Sequence, residues 1–151
     1  MTEVAQPPRP PQPPARLLGL DPGERRTGVA LSDELGMYAH PRPALHGSPD
    51  AAVAAIAEMV TREGVSEVIV GLPLSLGGGE SAQTVAARAF AAKLRVRLGL
   101  RVTEWDERLS SVQAGRDIKG ASKRRSGELD SAAAALVLQA VLDSRARGGS
   151  R

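Results

Sequence analysis

The stretch "LLGLDPGERRTGVALSD", Leu17 to Asp33, constrains the fold more than any other part of the chain. Leu17–Leu20 is a short apolar run of the kind that forms a buried strand, and Thr27–Leu31 is a second. Asp21 stands where the first run stops, and Pro22-Gly23 is a turn signal beside it. Strands joined only by a short turn around Glu24, Arg25 and Arg26 pair antiparallel, because a parallel pair needs a crossover of a dozen residues or more. A third strand is expected through Tyr38–Leu45, with Pro41 and Pro43 confining it to a sheet edge.

Downstream the period changes. Ser48-Pro49-Asp50 is a helix opening, with a cap, a proline at the first helical position and an acid in the first turn. Val53, Ile56 and Val60 then recur at helical spacing as far as Arg62. Glu67–Val70 ("EVIV") is a β-branched strand that runs into Gly71-Leu72-Pro73. After the loop "SLGGGES" a helix is expected over Ser81–Leu98, with Val85, Phe90, Leu94 and Leu98 on its buried side and Gly99 as its stop. Leu100–Trp105 is a further strand, ending in Asp106-Glu107. A short helix near Leu109–Ile118 leads to the basic loop "KGASKRRSG", and a last helix spans Glu128–Asp143. Hairpins followed by alternating helices and strands imply an α/β fold. Its mixed five-stranded sheet has three antiparallel strands first, then parallel ones, with helices on its faces. Functional sites in such sheets gather at the carboxyl ends of the parallel strands.

The 151-residue chain is long enough for one domain with a real core. Residues 1–15, rich in proline, read as a disordered tail, 16–144 as the folded domain, and 145–151 as a flexible basic tail. No cysteine is present, which excludes a disulfide framework and a thiolate zinc site. No apolar run is long enough to span a bilayer and the N-terminus lacks a signal core, so a soluble, cytoplasmic protein is expected. The formal charge of +3 leans mildly toward polyanions. With one Trp, one Tyr and one Phe, a base-stacking platform is out of reach. A nucleic acid would therefore be gripped through its phosphates, with marked salt sensitivity.

Three carboxylates are placed to converge. Asp21 follows the first strand and Glu107 the last. Asp130 tops the apolar stripe Asp130, Ala134, Val137 and Val141 of the final helix. Each has an ordinary explanation: turn chemistry for Asp21, a surface ion pair for Glu107, the helix dipole for Asp130. Only their joint placement points to a site. Converging carboxylates repel, and a hard divalent cation with oxygen ligands neutralises them.

Four segments carry a resemblance to a known family: "LGLDPGERRTGVALSD", "EVIVGLPLSLGGGES", "WDERLSSVQA" and "LDSAAAALVLQAVLD". In this order, across about Arg16–Asp143, they resemble the YqgF family, also called RuvX, whose members have an RNase H-like fold related to RuvC-type Holliday junction resolvases. The resemblance implies a metal-dependent nuclease acting on the 5′ end of pre-16S ribosomal RNA. Asp21, Glu107 and Asp130 would be its acidic triad, and Mg²⁺ or Mn²⁺ its cofactor. Ser75-Leu76-Gly77-Gly78 departs from the family's Asn-Met-Asp-Gly, and Glu128 stands where a lysine is common. Whether Glu128 or Asp106 joins the triad stays open.

Arg25, Arg26, Arg108, Lys119, Lys123, Arg124 and Arg125 are the candidates for phosphate contacts, while His40 and His46 read as incidental. Expected partners are RNA (pre-16S rRNA) or branched DNA, with no membrane, for a monomer or homodimer. Two other readings are a junction resolvase using the same carboxylates and an rRNA-binding or transcription-complex factor with vestigial acids. The opening stretch is also similar to the phosphate loop of the actin and sugar-kinase superfamily. Those proteins close two such domains around a nucleotide, and this chain has room for one.

Overall fold

In the computed structural model the hairpin forms as β1 (Arg16–Pro22) and β2 (Arg26–Ser32), followed by β3 (Ala39–His46), α1 (Pro49–Glu63), β4 (Val65–Leu72), α2 (Ala82–Leu98), β5 (Arg101–Asp106), a single 3-10 turn (Glu107–Leu109) and α3 (Ser126–Gly148). The structure describes residues 15–74, 77, 79–109 and 131–148, and the backbone alone at 126–130. The proline-rich segment up to residue 14, most of the short helix expected at Leu109–Ile118, and the basic loop fall outside the described residues.

The five strands lie in the order β3-β2-β1-β4-β5. β1 pairs antiparallel with β2, and β2 with β3; β1–β4 and β4–β5 are parallel. This is the mixed sheet expected from the hairpin-then-crossover pattern. β3 is an edge strand with Pro41 and Pro43 in it, where missing N–H donors cost no ladder bond. β1 runs farther than its apolar run indicated: Asp21 pairs with Gly28 and Pro22 with Thr27. Asp21 is thus a strand residue held by a ladder, not the first residue of a turn.

Side chains alternate across the sheet and feed two cores. Leu18, Leu20, Val29, Leu31, Val68, Val70 and Val102 face α1 and α2, where they meet Ile56, Met59, Phe90 and Leu94. Ala30 and Ile69 face α3, where they meet Ala134, Val137, Leu138 and Val141. The strand residues under α3 are small. A Cβ on Gly19 would lie 2.9 Å from Leu138 Cβ and 3.2 Å from the Ala134 carbonyl oxygen, so α3 rests almost directly on the β1 backbone.

The helix ends follow local chemistry. Ser48 caps α1 by accepting from the Ala51 N–H, and Gly64 and Gly99 close α1 and α2 at φ 68° and 65°. The buried row of α2 differs from the expected one. It is Thr84, Ala87, Phe90, Ala91 and Leu94, and Val85 is 58% exposed. One residue along a helix is a turn of about 100°, so a row centred on the alanines carries Val85 to the solvent side.

α3 also outruns its expected end at Asp143, continuing to Gly148, and Arg145 is no part of a loose tail. Its guanidinium donates to both carboxylate oxygens of Glu67 at 2.8 and 2.7 Å, and Thr103 Oγ1 adds a third bond at 2.7 Å. Glu67 is only 8% exposed. Burial pushes its carboxyl up, but the bonds from Arg145 and Thr103 and the charges of Arg145 and Arg101 outweigh this and hold it below the ordinary glutamate value. A depressed folded-state value stabilises above the unfolded-state pKa and is lost as pH falls through the folded-state one. Glu67→Gln should therefore cost roughly 2 kcal/mol near neutral pH, the scale of hydrogen bonds to a charged group. The deficit should shrink as the medium is acidified through the carboxylate range, in urea unfolding followed against pH.

Candidate active site

At the carboxyl edge of the parallel strands, β1 and the turn after β5 bring Asp21 and Glu107 to one face of the sheet. On β1, Leu17, Gly19 and Asp21 alternate toward α3: Leu17 packs on the α3 core and the Gly19 Cβ position meets Leu138. On β4, Ile69 and Gly71 point the same way. The parallel register Leu20↔Val70 makes Asp21 and Gly71 the next residues of adjoining strands. β5 ends at Asp106, level with Leu72, and the 3-10 turn then swings Glu107 back across the sheet. A Cβ on Gly71 would lie 3.1 Å from Glu107 Cγ and 3.3 Å from its Oε1. The glycine leaves the space the Glu107 side chain occupies, beside Asp21 and on the same face.

The start of α3 is fixed close to this edge. Ser131, buried in the first turns, accepts a hydrogen bond from the Val29 N–H at 3.3 Å. Val29 sits opposite Leu20, one residue short of Asp21. This bond uses an irregularity: the β2–β3 register slips between Thr27 and Val29. Farther along, Gln139 accepts from the Ala39 N–H at 2.9 Å and donates to the Met37 carbonyl at 2.9 Å. Pinned at Ser131, Gln139 and Arg145, α3 starts at the sheet edge that holds Asp21 and Glu107, and its backbone carries Asp130 there. The side chains of Asp130 and Glu128 lie outside the described residues. Among the described residues no three acids or histidines cluster closely enough to enclose a metal; Asp21 and Glu107 are the described pair.

Asp106 is otherwise engaged. Arg108 Nε donates to both its oxygens at 3.0 Å, Nη2 to Oδ2 at 2.6 Å, and the Arg108 backbone N–H to Oδ1 at 2.9 Å. These bonds hold the Asp106 carboxyl below the ordinary aspartate value, against the opposing effect of burial. Asp106 therefore braces the turn that presents Glu107, and the Arg108 charge is largely spent on that brace. Arg25 is exposed in the β1–β2 turn beside Asp21, and Arg26 opens β2 on the Asp21 face. Lys119, Lys123, Arg124 and Arg125 lie outside the described residues.

Three contributors were not singled out from the sequence: Ser131, Gly71 and Thr84. Thr84 Oγ1 donates to the Pro73 carbonyl at 2.6 Å, closing the base of the loop that leaves β4. A Ser81–Thr84 capping box was legible as a spacing. Ser131 and Gly71 carry no signal outside the tertiary structure.

The fold, five strands in this order with α3 packed on one face, is shared with RuvC. Thermus thermophilus RuvC bound to a Holliday junction substrate superimposes with a TM-score of 0.61, covering 90% of this chain and 97% of that one, at 18% identity. The family model RuvX, described as Holliday junction resolvase, matches residues 15–144. The chain belongs to the RuvX family. Its relatives include a protein of Pelotomaculum thermopropionicum, 40% identical over 87% of this chain and 89% of the relative. Another, from Moorella thermoacetica, is 42% identical over 89% of this chain and 99% of the relative. Both carry the name "Putative pre-16S rRNA nuclease".

Proposed function

We propose that this chain is a divalent-metal-dependent nuclease that hydrolyses phosphodiester bonds in the 5′ leader of pre-16S rRNA. The observation that carries the reading is the approach of Glu107 over Gly71 on the face where β1 presents Asp21, at the edge where α3 begins. The donors are hard oxygens, with no cysteine anywhere in the chain, and fit Mg²⁺ or Mn²⁺. Asp21, Glu107 and Asp130 would hold the metal. When bound, such an ion makes a hydroxide available near neutral pH and offsets charge on the leaving oxygen. Around it, Asp21 is fixed by its ladder with Gly28, and Glu107 by the Asp106–Arg108 brace behind it. Arg25 and Arg26, in the turn next to Asp21, would take the phosphates flanking the scissile bond, and the lysines and arginines of the 119–125 loop would extend that grip. The family's description and the RuvC-like fold support the nuclease class, and the relatives' names support the RNA.

The test is cleavage of a ribosomal RNA precursor with its 5′ leader, beside a four-way DNA junction, with Mn²⁺ or Mg²⁺ and with chelator. Metal-dependent cutting of the leader in preference to the junction is expected. Cutting of the junction alone would transfer the proposal to DNA resolution. Leader binding without cutting would make the protein an RNA-binding factor.

A further inference from the structure

We infer that His46 is a substrate-contacting residue of this site, binding the RNA backbone one strand beyond Arg26; the inference rests on the nuclease reading above. Twenty residues apart in sequence, the two are directly opposed in the antiparallel β2–β3 register, Arg26↔His46. Directly opposed residues share a face, with Cβ atoms about 5 Å apart. That face is the one Asp21 occupies: the next pair, Thr27↔Leu45, points the other way, Thr27 in step with the core residue Val29 and Leu45 packing on the α1–α2 core. The end of β3 is also tied to the site's own turn, because the Gly47 N–H donates to the Arg25 carbonyl oxygen at 2.8 Å. Arg25, Arg26 and His46 therefore form one basic edge beside Asp21, with Glu24 as the acid of the same turn.

The surroundings leave the imidazole available. His46 is exposed, and no hydrogen bond or ion pair among the described residues occupies it. Asp50, the nearest acid along the chain beyond it, is held by Lys93 at 2.6 Å. An exposed histidine beside two arginines gains nothing from its own protein. Its ring N–H suits a phosphate oxygen. The edge then reads Asp21, Arg26, His46 across β1, β2 and β3, so the RNA strand leaves the metal site over the hairpin. His40 is the internal control. It sits on the same strand and is also exposed, but it pairs with Leu31, toward the far end of β2.

The experiment is a charge scan read by fluorescence anisotropy, in chelator so that nothing is cut. The probe is a fluorescein-labelled single-stranded RNA with the leader sequence, titrated at several KCl concentrations. His46→Glu should weaken binding about tenfold and His46→Lys tighten it about threefold. The salt slopes should differ by about 0.7 for each phosphate of a single strand that the substitution adds to the footprint or removes from it. The same swaps at His40 should move Kd less than twofold. A variant that had merely unfolded could not bind more tightly, so the lysine arm separates a direct role from damage. Unchanged affinity and slope for both His46 swaps, or equal effects at His40, would overturn this inference and leave the nuclease reading standing. An effect seen only with a four-way DNA junction would overturn the RNA assignment. No RNA binding by the wild type would remove the inference together with the proposed function.

Discussion

Asp21→Asn should slow leader cleavage by at least about a hundredfold and leave the fold intact. Loss of a partner that merely orients a metal ligand already costs about 10–100-fold, so loss of Asp21, which on the proposed function would hold the ion directly, should cost no less. Asparagine has the same shape, and Asp21 is held through its backbone pairing with Gly28, which the substitution keeps. Glu107 meanwhile loses a like-charged neighbour on the same face. In chelator the variant should thus melt at the wild-type temperature or above it, the usual inverse relation between an assembled acidic site and stability. Added Mn²⁺ separates the two proteins. An ion that binds only the folded state stabilises by about 2.7 kcal/mol at a hundred times its Kd. The wild type should show that rise in Tm and the variant should lose most of it. Cleavage and metal-dependent melting measured on the same preparations decide the matter. A variant that cuts normally, or gains as much from Mn²⁺ as the wild type, would take Asp21 out of the metal site.

The second large effect is expected at a glycine, under α3. Gly19→Val should destabilise the chain by about 2 to 3 kcal/mol, the cost of overfilling a packed core. It should also depress cleavage in the molecules that remain folded. The space is already taken: a Cβ there would fall 2.9 Å from Leu138 Cβ and 3.2 Å from the Ala134 carbonyl. Both belong to the body of α3, which can yield only by lifting off β1. The helix that lifts is the one whose first turns include Asp130, the third acid of the proposed site, and which bonds Val29 through Ser131. In a chain of this size each kcal/mol shifts Tm by a few degrees, so a drop of roughly 5 to 10 °C is expected. Gly19→Ala should show the same pairing of losses in milder form. A valine variant melting within a degree of the wild type would mean that α3 does not bear on β1 in this way.

The architecture was legible because it depends on pattern. Apolar runs too close for a crossover had to pair antiparallel, and helical periods between the later strands made those parallel. The cap at Ser48, the stop at Gly99 and the edge position of β3 are local chemistry of the same sort. Element ends were harder to place. β1 continues through Asp21 and Pro22 because a partner strand lies alongside, and α3 continues to Gly148 because Glu67 receives Arg145. The second of these partners lies 78 residues away in sequence. Val85 was misplaced for a related reason: hydrophobicity alone does not tell which row of a mixed alanine-rich helix meets the sheet.

For the site, the sequence by itself determined which residue types stand where strands end: Asp21, the Asp106-Glu107 pair, and Asp130 at the head of an apolar helix face. Those positions follow from covalent order and the two periods of regular structure. Only the tertiary structure showed Asp106 bonded to Arg108 and Glu107 lying over the bare backbone of Gly71. It alone set His46 opposite Arg26, and it alone spent the buried charge of Glu67 on holding α3. Apart from the Asp106–Arg108 bonds, each of these depends on strand register or on how elements distant in sequence pack together. Such pairings are fixed by how the strands and α3 come together, which no local pattern can encode.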